Sequence, residues 1–210
     1  MATIFGLEEI YMKMKFLAAA LLVAGSMSAQ AATMNVDIMS VSGGSFNLGG
    51  SPGTPGSWSV AIADLTSGYQ DFGSAFTFFG GPVYMFTSDG GSTPHGGSAV
   101  AGGPVPSAMV DDVAGTITVD LSAWTAHWNG TNFNQGSSSV SGTWNSVTGA
   151  YNIGWSSTVA GGPFNGQTGN WTLQGVATVA AVPEPESYAM LLAGLGLLGL
   201  VARSKAAKRG

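Results

Sequence analysis

SSVSGTWNSVTGAYNIGWSS, residues 138–157, decides the fold class. Within it Tyr151, Ile153 and Trp155 alternate with Asn152, Gly154 and Ser156. That is the period-two pattern of a strand with one buried face. Ser138 to Trp144 reads as a second strand, and NSVTG (145–149) joins the two. A short connection ending in glycine suits a β-hairpin in which Gly149 takes positive φ. The same alternation recurs on both sides. Trp58, Val60 and Ile62 alternate with Ser57, Ser59 and Ala61; Ile117, Val119 and Leu121 alternate with Thr116, Thr118 and Asp120. Trp171, Leu173, Gly175, Ala177 and Val179 form another apolar or small face. Met34 to Val41, Ala75 to Phe79 and Val83 to Thr87 are further candidate strands, rich in residues that favour sheets. No stretch between them has helical spacing with caps. The expectation is an all-β domain, an antiparallel β-sandwich or barrel of about seven to nine strands. Gly-Gly-Pro at 80–82, 102–104 and 161–163 marks breaks, and residues 88–107 read as a long surface loop.

Charge divides the chain into three. All six Lys and Arg lie at the ends: Lys13, Lys15, Arg203, Lys205, Lys208 and Arg209. Between Ala32 and Val182 the only formal charges are Asp37, Asp64, Asp71, Asp89, Asp111, Asp112 and Asp120. Such a segment repels nucleic acid, whose binding rests on phosphate neutralisation. With no cysteine there is no disulfide and no Cys-based zinc site.

The two ends differ from the middle. Lys13 and Lys15 precede a short apolar run, Phe16 to Gly25, and then small residues in which Ala29-Gln30-Ala31 fits the A-x-A cleavage pattern. Residues 1–31 are expected to be a signal peptide, handled by the Sec translocon and signal peptidase. Glu8 and Glu9 oppose a positive leader, so translation is expected to start at Met12 or Met14. Residues 32–182 then form the exported β domain. Near the other end Pro183-Glu184-Pro185 holds the backbone extended. Ser187 to Ala202 carries no charge. As a helix it rises about 24 Å, short of a hydrocarbon core of about 30 Å unless the bilayer thins or the flanking residues snorkel. The cluster Arg203, Lys205, Lys208 and Arg209 would stay cytoplasmic and stop the chain in the membrane.

The ordered set at 183–210, with motif 183–185, transmembrane helix 187–202 and basic tail 203–210, resembles the PEP-CTERM sorting signal of Gram-negative bacteria. The resemblance implies an exported protein that passes through the inner membrane and is processed near the motif by exosortase, a membrane-embedded cysteine transpeptidase. It implies surface display or release into an exopolysaccharide or biofilm matrix; no enzymatic role is expected, because the middle segment offers no catalytic motif. The alternative is a secreted carbohydrate-binding module or glycan-active hydrolase.

Candidate chemistry in the middle is sparse. G-x-S-x-G, H-E-x-x-H and Walker patterns are absent, so no catalytic residue is assigned. His95 reads as a solvated loop residue; His127 lies between Trp124 and Trp128. Asp89, Asp111 and Asp112 are the candidate calcium ligands, since hard cations take carboxylate oxygens. No D-x-D-x-D-G array supports them, and no cofactor is expected. Trp124 and Trp128 fall on one strand face: exposed they form an aromatic platform for a glycan, buried they are core.

A reporter that works only outside the cytoplasm, fused after Val182, should be active; a dark fusion contradicts the partition of charge.

Overall fold

Alternation of apolar and polar side chains becomes eleven strands. The computed structural model describes residues 33–49, 56–180 and 190–196. In order the strands are β1 (Thr33–Leu48), β2 (Gly56–Trp58), β3 (Asp71–Phe78), β4 (Gly81–Thr87), β5 (Ser107–Asp111) and β6 (Thr116–Asp120). There follow β7 (Trp124–Trp128), β8 (Thr131–Asn134), β9 (Val140–Trp144), β10 (Ala150–Thr158) and β11 (Thr168–Val179). All pairings between them are antiparallel. The first sheet runs β11-β10-β9-β6-β5-β1-β2, and β1 pairs β11 as well, which closes six of its strands into a barrel. The second sheet is β3-β4-β7-β8.

β1 makes this closure possible through its length. Thr33 to Asn35 pair with β5, Gly44 to Phe46 pair with β2, and Val36 to Leu48 run along β11. Register shifts at Val36/Ile38 and Val41/Gly43 bend the strand so that it can serve these neighbours. Glycine is required at the second bend. A Cβ on Gly43 would stand 2.3 Å from the Trp58 carbonyl oxygen, and one on Gly44 would stand 2.2 Å from that of Thr172.

The hairpin that decided the fold class is β9–β10. Gly149 has φ 71°. Asn145 Oδ1 accepts the N–H groups of Val147 and Thr148 at 2.9 and 3.0 Å, shaping the turn. Tyr151, Ile153 and Trp155 are buried and their alternates are exposed.

One apolar core takes residues from both sheets. Trp171 lies at its centre, with its ring 4.4 Å from Phe46 and 6.1 Å from each of Trp58, Trp124 and Trp155. Phe72 and Phe76 of the second sheet reach the same cluster, against Trp124 at 4.9 Å and Phe46 at 5.6 Å. Buried Gln135 satisfies two of the indoles: its backbone oxygen accepts from Trp155 Nε1 at 2.8 Å and its Oε1 from Trp171 Nε1 at 3.3 Å, while the buried Nε1 groups of Trp58 and Trp124 have no partner among the described residues. Ser157 Oγ donates to the same Oε1 at 2.7 Å.

Two expectations differ in detail. The strand count exceeds seven to nine because β2 and β8, of three and four residues, are too short to stand out as periodic runs, and because Ser107–Asp111 forms a strand directly after the expected 88–107 loop. The alternation through Val60 and Ile62 does not continue as a strand beyond Trp58. Instead the chain makes one isolated bridge, Val41 to Ile62, and Leu65 N–H donates to the Met39 carbonyl at 2.7 Å. The signal peptide at 1–31, Pro183 to Pro185 and the basic tail at 203–210 lie outside the described residues, as does most of the helix expected at 187–202. Residues 190–196 are helical and exposed. Among the described residues no helix is long and apolar enough to cross a membrane.

Two measurements check this packing. Trp171→Ala should lose about 3–5 kcal/mol in urea unfolding, whereas Met109→Ala, on an exposed face of β5, should stay within about 0.5 kcal/mol. Asp64 gives a pH signature. Burial alone would raise its carboxyl, but hydrogen bonds from the Thr66 hydroxyl and the Met39 and Thr66 N–H groups together hold it below the ordinary 3.8. A depressed carboxyl stabilises the fold above its unfolded pKa and loses that effect as pH falls through the folded value. The melting-temperature gap between wild type and Asp64→Ala should therefore be widest near neutrality and narrow below about pH 4.

Candidate functional site

Polar aromatic side chains gather on one face of the four-stranded sheet. Ser74, Tyr84, His127 and Asn132 occupy successive paired positions on β3, β4, β7 and β8, so they form one row across it. Their neighbours Val83, Met85 and Ala126 point to the other face and are buried in the core.

The segment 88–106 covers part of this row. It has no regular structure but is tied down at several points. Asn132 Nδ2 donates to the carbonyls of Gly96 and Ser98, both at 2.9 Å, and Asn134 Nδ2 donates to that of Ala101. Tyr69 Oη donates to the Gly103 carbonyl at 3.0 Å. His95 stacks on Tyr84 with ring centroids 4.2 Å apart, and its Nε2 lies 2.9 Å from Asp71 Oδ1. The expectation that His95 is a solvated loop residue is therefore corrected: only 17% of its side chain is accessible, because the loop folds it back onto the sheet.

The hydrogen bonds fix the tautomer of His127. Asn132 spends both amide hydrogens on carbonyls, which leaves its Oδ1 as an acceptor. His127 Nδ1, 2.7 Å away, must be the donor. In the neutral ring Nε2 then carries the lone pair.

Beyond His127 the face opens into a depression of about 600 Å³, lined by Phe79, Pro82, Tyr84, His127, Trp128 and Asn129, with glycines between them. Two tight turns form its rim. Phe79-Gly80 joins β3 to β4 with φ values of 44° and 77°; Asn129-Gly130 joins β7 to β8 with 50° and 75°. Positive φ at both central residues is the I′ hairpin geometry, for which Asn-Gly is a preferred pair. Phenylalanine is not suited to it, since a bulky side chain in left-handed backbone is an outlier. Phe79 is nevertheless 67% exposed.

The residues singled out from the sequence fall as follows. Trp124 is fully buried and cannot be half of an exposed glycan platform. The chain turns at Leu121 to Ala123 and carries β7 into the second sheet, where Trp124 packs against Phe72 and Trp155. Trp128 is half-buried, donates from Nε1 to the Phe78 carbonyl at 2.9 Å, and reaches the depression. Asp89 Oδ1 accepts N–H groups of Gly91 and Ser92, and Asp111 Oδ1 those of Val113 and Ala114, so both shape turns. Asp112 is exposed in the turn after Asp111. No three His, Asp or Glu side chains gather among the described residues. Ala29, Ala31, Pro183, Glu184, Pro185, Arg203, Lys205, Lys208 and Arg209 lie outside the described residues. The row itself escaped sequence reading. Its one local signal was Asn129-Gly130, which marks a hairpin and would have set β8 beside β7.

A family model described as the PEP-CTERM protein-sorting motif matches residues 181–206. No curated protein and no solved structure matches the chain. The chain thus carries a PEP-CTERM sorting motif behind a β domain. That motif supports an exported protein sorted by exosortase, one that transits the membrane on the way to the surface.

Asn132→Ala removes two anchors of the 88–106 segment and the partner of His127. It should cost about 1–3 kcal/mol in chemical denaturation and expose a new protease cleavage site within residues 91–100.

Proposed function

We propose that this protein is a non-enzymatic structural or adhesive module, exported, cut near Pro183-Glu184-Pro185 by exosortase, and held at the cell surface or in an exopolysaccharide matrix. The observation that carries this reading is the sorting motif at 181–206, placed after a domain whose only formal charges are aspartates. The signal peptide at 1–31, cleaved after Ala31 by signal peptidase, supplies entry to the Sec route. The basic cluster from Arg203 to Arg209 holds the tail in the cytosol while the motif is presented outside.

The surface of the β domain supports a matrix role. Asp64, Asp71, Asp89, Asp111 and Asp120 each accept local backbone N–H groups, so most of its charge is tied into turns. Serine and threonine hydroxyls and asparagine amides make up much of what remains outside, and these groups exchange hydrogen bonds with a hydrated polysaccharide as readily as with water. The alternative, a carbohydrate-binding module, is favoured by one observation, the aromatic depression beside His127.

Mass spectrometry of the mature protein from its own host tests the sorting reading. The expected ends are Ala32 and a residue close to Pro183. A surface-displayed chain that still ends at Gly210 contradicts it.

A further inference from the structure

The depression beside Phe79 combines three features that core packing does not call for. Phe79 is strained by its φ of 44° and yet leaves most of its ring in water. Asparagine or glycine would fit that turn position better, as Asn129 does in the neighbouring hairpin. A backbone outlier that persists at an exposed aromatic ring suggests a role for the ring outside the fold. Phe79 does not stand alone: it stacks on Phe164 at 5.6 Å and meets Phe78 edge-on at 4.8 Å, so its orientation is set.

The second feature is a set of polar groups on residues that line the same space. Among the described residues the Tyr84 hydroxyl and the Asn129 amide make no hydrogen bond, and the lone pair on His127 Nε2 is not used by Asn132. Together they supply donors and acceptors of both kinds. The third feature is what is missing from the sequence: no Lys or Arg occurs between Lys15 and Arg203, so no guanidinium or ammonium is here to pair with a carboxylate or sulfate.

The geometry points to this depression as a binding site for a neutral polysaccharide, with one sugar ring packed on Phe79 and its hydroxyls bonded to Tyr84, His127 and Asn129. The apolar C–H face of a pyranose gains dispersion and sheds water against an aromatic ring. Its hydroxyls need uncharged donors and acceptors rather than cations. A volume of about 600 Å³ falls within the range of small-ligand sites. The Phe79-Gly80 and Asn129-Gly130 turns stand on either side of the site, leaving room for a chain to enter and leave rather than for a single buried sugar. Glycines 80, 81 and 130 keep the rim low. This inference rests on the reading of the protein as a matrix component and names the polymer class it holds.

Affinity electrophoresis of the mature protein through gels containing dextran, laminarin or galactomannan, with alginate as the anionic control, tests it. At least one neutral polymer should retard the protein and alginate should not. Phe79→Asn relieves the backbone, so its melting temperature should hold or rise while its affinity drops at least tenfold. Tyr84→Phe keeps the stacked ring and should lose affinity several-fold. Retardation by no neutral polymer, retardation by alginate alone, or binding by both variants equal to wild type overturns the site. Cell fractionation of the Phe79→Asn protein separates the two claims. Normal surface display with lost binding leaves the sorting reading intact, while failure of the wild type to reach the surface undermines that reading and not the site.

Discussion

Everything in the β domain depends on the pairing of its first strand with its last. Val36 to Leu48 of β1 lie against Gly169 to Val179 of β11, and this ladder turns an open sheet into a closed barrel. Side chains reinforce it: Ser40 Oγ donates to the Val176 carbonyl at 3.1 Å, and Tyr151 Oη donates to the Ser40 carbonyl at 2.9 Å. Burial pushes the Tyr151 hydroxyl well above its usual pKa, so it stays a donor at any physiological pH. The partners are more than a hundred residues apart, so closure carries a large loop entropy and comes late in folding. In chain order β11 is the last strand of the domain. The sorting motif begins at residue 181, directly after it.

The charge pattern of the chain shapes how the fold is held. With no Lys or Arg between residues 15 and 203, the domain has no lysine or arginine ion pair to draw on. Its cohesion comes from aromatic burial around Trp171, from neutral hydrogen bonds to Gln135, and from carboxylates that cap turns. The close approach of His95 to Asp71 is the one His–carboxylate contact among the described residues, and it fastens a loop rather than the core. Neutral cohesion is little affected by ionic strength, which suits a protein that meets variable media outside the cell.

How much of this was legible in the sequence depended on how locally each element is specified. The β9–β10 hairpin was readable because Tyr151, Ile153 and Trp155 alternate cleanly and Gly149 marks the turn. β6 and β11 were readable for the same reason. β7 was read as a strand through Trp124 and Trp128, but its setting was not, since four of its five residues, Trp124 to His127, are buried on both faces and lose the alternation. Its placement is decided by a change of sheet at Leu121 to Ala123, which no periodicity announces. Likewise β1 runs through Gly43 and Gly44, which read as a break until Trp58 and Thr172 are seen to require the missing side chains. The row of Tyr84, His127 and Asn132 is built by pairing three strands and by a loop that returns from residue 95. It has no sequence motif. The sorting motif, by contrast, was legible because its meaning lies in linear order and charge, and a family model matches it at residues 181–206.

The most direct test of the account is a single cross-link. Ser45 and Thr172 face each other across β1 and β11, their hydroxyl oxygens 2.7 Å apart. The chain has no cysteine, so Ser45→Cys with Thr172→Cys introduces the only thiols present. If the barrel closes as described, the folded double variant should oxidise to one intramolecular disulfide and gain about 2–4 kcal/mol of stability. Two thiols that stay free in the folded, oxidised protein would contradict the pairing on which the rest is built.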